Sequence, residues 1–190
     1  MANIALKQAK PIELTPFTIS SKPIAAPLEN KLFISARMMG LLKRNGRVWT
    51  GNSEELGEIL SKKNTKEEQA LETEVGYLRL GELGVACIPG ELYPELVYGK
   101  IQDPVDPGAD YPEAPPEPSI VEILPEERFL LIGLANDEIG YIIPRRQWDV
   151  VAPFAYGRDS DQYGEENSIG SEAAPIVMEA LRKRVEEVTP

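Results

Sequence analysis

Two runs of strand-forming residues separated only by Gly81-Glu82 do most to fix what this chain can fold into. Glu74 to Leu80 carries Val75 and Tyr77, and Leu83 to Ile88 carries Leu83 and Val85. A tight antiparallel hairpin is the reading that follows. The second run leads directly into Pro89-Gly90-Glu91. Proline cannot donate to a ladder and glycine lets the backbone turn, so the strand must end there. Glu91 is thereby placed at a strand end, where polar side chains often face a cleft.

The other elements are read outward from this hairpin. Ile12, Leu14, Phe17 and Ile19 describe an extended segment interrupted by Pro16, either an edge strand or a bulged one. Leu32 to Leu42 has helical spacing through Leu32, Phe33, Ala36 and Met39, with Asn45-Gly46 as its stop, and Met38-Met39 are read as packing residues. Asn52 as N-cap with Glu55 predicts a second helix carrying Leu56, Ile59 and Leu60, and Thr65-Lys66-Glu67-Glu68 repeats the capping pattern. Phe129 to Ala135 is apolar or glycine throughout and reads as a strand buried on both faces. Asn136-Asp137-Glu138 falls beyond its end, and Tyr141-Ile142-Ile143 is a further short extended stretch. After a loop from Pro153 to Gly164, Ser171 caps a closing helix with Pro175 in its first turn. Ala173, Ile176, Val177, Ala180, Leu181 and Val188 form its apolar stripe. Mixed strands and helices in this order define an α/β or α+β layer fold, a mixed sheet with flanking helices.

The stretch 103–118 holds six prolines and five acidic residues with no basic one. Such a composition supports neither a helix nor a central strand, and the expectation is an acidic, proline-rich surface loop. A length of 190 residues suits a single domain or one large piece of a bigger one, and a 42% hydrophobic content suffices for a packed core. The formal charge of −11 repels phosphate backbones and anionic membrane surfaces, which argues against nucleic-acid binding. No apolar run approaches a membrane span, and residues 1–7 lack the charged leader and apolar centre of a signal peptide. Cys87 is the single cysteine, so no internal disulfide forms; within Val85-Ala86-Cys87-Ile88 it reads as a small buried residue.

The chain contains no histidine. Ser-His-Asp triads, Cys-His pairs and histidine-ligated metals therefore cannot be built from it alone. Carboxylates and tyrosines remain. They meet glycines at three stretches: Ile88-Pro89-Gly90-Glu91, Leu134 to Tyr141, and Tyr163-Gly164-Glu165-Glu166-Asn167-Ser168-Ile169-Gly170. On their residues alone these are turns with polar punctuation.

Taken in order, the Thr73 to Gly81 strand, the IPGE at 88–91, the strand and Ala-Asn run to Gly140-Tyr141, and YGEENSIGSEAAP at 163–175 resemble neutral, non-lysosomal ceramidases and their bacterial relatives. The resemblance covers most of the chain from about residue 10 and is specific between residues 73 and 182. It implies residues 1–190 as a single partial domain, the C-terminal part of a catalytic domain that hydrolyses N-acyl amide bonds of lipid-like substrates, in sphingolipid metabolism for the named family. It further implies a zinc ion held by two histidines outside this chain together with Glu91 and Tyr141. Tyr163 would stabilise the reacting carbonyl. Zinc is then bound only with the missing N-terminal part, and the chain is inactive alone and prone to self-association. The chain departs from the family at Ile142-Ile143-Pro144-Arg145-Arg146, which stands where ceramidases are threonine-rich, and in the acidic loop, which is an insertion. The competing expectation is a non-catalytic binding or assembly module that keeps the fold.

Overall fold

The computed structural model describes residues 2–61, 67–100 and 102–189. Its elements run α1 (Ala2–Gln8), β1 (Phe17–Pro27), α2 (Lys31–Met38), β2 (Gly46–Val48), β3 (Gln69–Leu80), β4 (Leu83–Cys87), β5 (Glu91–Leu92), α3 (Pro94–Tyr98), α4 (Ile120–Ile123), β6 (Arg128–Ile132), β7 (Tyr141–Ile142), α5 (Tyr163–Glu166) and α6 (Ala173–Val188). This is a mixed α/β fold. The main sheet has the order β1-β3-β4-β6, with β2 also paired to β3. All of its pairings are antiparallel except β4 with β6, which is parallel.

The hairpin forms at the expected turn, with Leu80 opposite Leu83 and Gly76 opposite Cys87. Strand alternation then sorts the side chains. Ile24, Leu71, Val75, Tyr77 and Ala86 enter the core, where the stripe Ala173, Val177, Ala180, Leu181 and Val185 of α6 covers them. Each fully buried aliphatic side chain contributes about 1.5–3 kcal/mol by its removal from water. A second bond set ties α6 to β1: Glu187 accepts from Ser20 Oγ and Lys22 Nζ, both at 2.5 Å, and from the buried Arg184 at 3.0 Å.

The opposite face of the sheet is open at its edge strands β1 and β6. Ile19, Leu78, Val85 and Leu130 form one continuous row across β1, β3, β4 and β6 by register. Phe17, Ile19, Leu130 and Ile132 are 59%, 54%, 52% and 47% exposed. This corrects the expectation of a fully buried strand from Phe129 to Ala135. β6 is an edge strand that ends at Ile132, with Phe129 and Leu131 packed toward the core and the alternate residues in solvent. Cys87 lies on the same open face and is only half-buried, not fully enclosed.

Several local expectations also change. α2 ends at Met38 rather than Leu42, because Gly40 takes a left-handed φ of 76° and the N–H groups of Leu41 and Leu42 both turn back to Ala36 O. Met38 and Met39 are exposed and do not pack. No helix follows Asn52: its side chain caps a turn at Glu54, and the chain then pairs with β2 through Glu58 O and Leu60 N. Sheet pairing outcompetes the local helical signal there. Thr65 and Lys66 lie outside the described residues, and β3 begins shortly after. Ile12 and Leu14 precede β1 instead of joining it, and β1 is an edge strand. Ser171 does not cap α6; it binds Glu29, and Glu172 occupies the N-cap position. The 103–118 stretch contains neither helix nor strand. Glu117 within it is nevertheless buried, accepting from Arg145 N at 3.0 Å.

Among the described residues, no helix is long and apolar enough to cross a membrane.

Candidate functional site

The three glycine-bearing stretches meet beyond the end of β4. β5 and β7 pair in parallel with Glu91 opposite Tyr141. Glu91 N donates to Gly140 O at 3.1 Å, Tyr93 N to Ile142 O at 3.1 Å, and Ile139 N to Pro89 O at 2.8 Å. Tyr141 N donates to Asn167 O at 3.0 Å, which brings the third stretch alongside. Two glycines make this closeness feasible. A Cβ on Gly90 would stand 2.4 Å from Gly140 O, and one on Gly140 would stand 1.9 Å from Asn167 O, where φ is also +88°.

Side chains continue the convergence. The Glu91 carboxylate beside the Tyr141 phenol, with partial burial next, pushes the phenol pKa up. Tyr163, at the first position of α5, sets its ring edge-on to Tyr141 with centroids 5.7 Å apart. Tyr93 is also edge-on to Tyr141, with centroids 6.3 Å apart. Glu91 and Tyr163 are exposed, so the cluster is an open surface.

Three further residues belong to this neighbourhood. Tyr93 follows Glu91 by two positions, so strand periodicity alone could have found it on the same side. Burial raises its phenol pKa, with Glu165 adding to the effect. Glu138 accepts from Gly140 N at 2.5 Å, and burial followed by the neighbouring Glu91 and Asp137 carboxylates raises its pKa. Arg44 binds Asp137, donates to Glu138 O at 2.8 Å and to Glu72 O at 2.6 Å, and so pins this turn to the sheet. No local signal marks Arg44, which acts from a distant loop.

Glu91 and Tyr141, opposite each other in register, would offer a cation two oxygen donors once the phenol proton leaves. They supply two oxygen donors, fewer than the three or four protein ligands zinc takes. Among the described residues, no group of three or more His, Cys, Asp or Glu is arranged to hold a metal ion. The donor set therefore fits part of a zinc shell and does not close one.

Comparison of the chain with protein-family profiles, with curated proteins and with solved structures gives no match.

Proposed function

We propose that this chain contributes the oxygen-donor side of the active site of a zinc-dependent hydrolase of N-acyl amides, with imidazole ligands supplied by another polypeptide segment. The observation that carries the reading is the pairing of Glu91 and Tyr141 in register, with Tyr163 edge-on to Tyr141. In this reading Glu91 is an anionic ligand and Tyr141 becomes one on losing its proton to the assembled site. Tyr163 is exposed beside Tyr141, and its hydroxyl would donate to the amide oxygen as that oxygen gains negative charge. Bound zinc would activate water and polarise the same carbonyl. A lipid-like acyl chain is one substrate class within this reading.

The open apolar sheet face, with Phe17, Ile19, Leu130 and Ile132 in solvent, supports a second polypeptide segment packing against this one. That same face also favours the second reading, a non-catalytic assembly module. Hydrolysis of a fluorescent N-acyl amide separates the two. The enzyme reading expects turnover only when a histidine-bearing segment, encoded next to this chain, is added in trans, and expects the turnover to vanish in Glu91→Ala. A complex that forms without any turnover supports the assembly module.

A further inference from the structure

β6 ends the main sheet with one backbone edge unpaired. In its parallel ladder with β4, Ile132 turns its C=O inward, where it accepts from Ile88 N at 2.9 Å. Backbone direction alternates along a strand, so Leu130 also bonds toward β4, while Phe129 and Leu131 turn their N–H and C=O groups outward. Among the described residues these outward groups have no backbone partner. Edge strands are commonly closed by a proline or a lysine, and Arg128–Ile132 contains neither.

The other edge of the sheet is built differently. In β1 the outward positions include Ala25, whose N donates to Ser53 O at 2.8 Å. Pro23 and Pro27 alternate with it and have no N–H to offer, and Lys22 adds a charge beside them. An open-ended stack, β6 of one copy on β1 of the next, would therefore meet an edge blocked over its second half. Pairing of β6 with β6 of a second copy meets no such block, and it closes at two.

The strand is self-complementary in that arrangement. Antiparallel pairing about a two-fold axis at Leu130 sets Phe129 opposite Leu131 of the second copy, so that the outward groups of each satisfy those of the other. Leu130 then faces Leu130 of the second copy at the closer, non-hydrogen-bonded spacing. Arg128 falls opposite Ile132 and Glu127 opposite Gly133, so no like charges meet. The half-exposed Leu130 and Ile132 gain cover, and the row Ile19, Leu78, Val85 and Leu130 continues into the same row of the second copy. We propose that β6 is the interface of a two-fold symmetric dimer of this chain, with the two sheets joined edge to edge. The dimer is independent of zinc and of the tyrosine cluster.

Sedimentation equilibrium of the chain should show monomer and dimer with a Kd of about 10–100 µM and nothing larger, since a single strand pair makes a small, weak interface. Each copy carries a net charge of −11, so the dimer should tighten as added salt screens their repulsion. Leu130→Lys and Leu130→Glu each oppose like charges on the axis, at a half-exposed position that leaves the fold intact, and each should weaken the dimer at least tenfold. Mixed in equal amounts, the two variants should recover a 1:1 dimer, because position 130 meets itself. Circular dichroism reports whether each variant is folded. Should either fail to fold, hydrogen exchange in the parent decides the question: the amides of Phe129 and Leu131 should exchange more slowly as the dimer forms. A chain that stays monomeric to about 1 mM, whether or not the histidine-bearing segment then binds it, would overturn the proposal. So would a series of larger oligomers, an undiminished dimer in folded Leu130→Lys, a mixture that stays monomeric, or exchange at Phe129 and Leu131 that does not slow.

Discussion

Glu91 and Tyr141 are direct register partners across a parallel two-stranded sheet, and the carboxylate of one raises the pKa of the phenol of the other. The neighbouring Glu91 carboxylate disfavours the phenolate, raising the Tyr141 pKa from the usual value of 10.0. In the folded protein the neutral phenol is therefore favoured, a contribution present below the unfolded pKa and lost as pH rises through the folded one. Glu91→Gln removes the charge and should bring one tyrosine titration down toward 10.0 in a spectrophotometric titration of tyrosinate. An unchanged tyrosine titration curve would show that the two side chains are not coupled in solution.

Gly140 should tolerate no side chain. Its φ is +88°, and a Cβ added there would stand 1.9 Å from the Asn167 carbonyl oxygen, so Gly140→Ala must push the 167–168 segment away from Tyr141. A loss of roughly 2–4 kcal/mol in urea unfolding is expected, from left-handed strain and steric displacement together. A loss under about 0.5 kcal/mol would mean that the three stretches are held less tightly than their hydrogen bonds indicate.

The open sheet face should govern association. Leu130→Lys or Ile132→Glu changes exposed positions, so stability should shift by no more than about 0.5 kcal/mol while light scattering at high protein concentration falls. On the core face the result inverts. Leu181→Ala, at a fully buried position, should cost about 2–5 kcal/mol and leave the scattering of the folded protein unchanged.

The hairpin is legible because its two runs and its turn residues agree, and the C-terminal helix because its stripe repeats cleanly over the length of α6. β6 misleads for a physical reason. A run that is apolar on both faces implies cover on both faces, and here Leu130 and Ile132 are left about half exposed. The Asn52 cap is real, but the Arg47–Ile59 bridge and its flanking bonds turn the following residues into the sheet. Glu91, Tyr141 and Tyr163 are singled out by resemblance to a family, whereas their contacts depend on close backbone passage at Gly90 and Gly140. A further cluster, in which Arg158 lies 3.4 Å from the buried Glu165 and 3.9 Å from the buried Asp149, cannot be read from sequence at all, since its members carry no common spacing and meet only through tertiary packing.

That cluster carries its own pH signature. Burial is the first cause that raises the Glu165 pKa above 4.5, with Asp149 adding to it and Arg158 opposing. A carboxyl with a raised folded pKa destabilises the fold increasingly as pH climbs from 4.5 through the folded value. Glu165→Gln removes that penalty. Melting temperature should rise by roughly 2 °C at neutral pH and change little near pH 4, where both forms are uncharged. The reverse order, with the larger gain in acid, would contradict the assignment of Glu165 as an under-compensated buried carboxylate.

Zinc stoichiometry decides whether Glu91 and Tyr141 are, as proposed, two ligands of a zinc site completed by another segment. The chain alone, dialysed against zinc and then metal-free buffer, should retain far less than one equivalent. With the histidine-bearing segment present it should retain one, and that equivalent should be lost in Glu91→Ala; replacing zinc by cobalt should add a phenolate charge-transfer band that disappears in Tyr141→Phe. A full equivalent of zinc on the chain alone, or an assembled complex whose zinc survives both substitutions, would rule out Glu91 and Tyr141 as ligands.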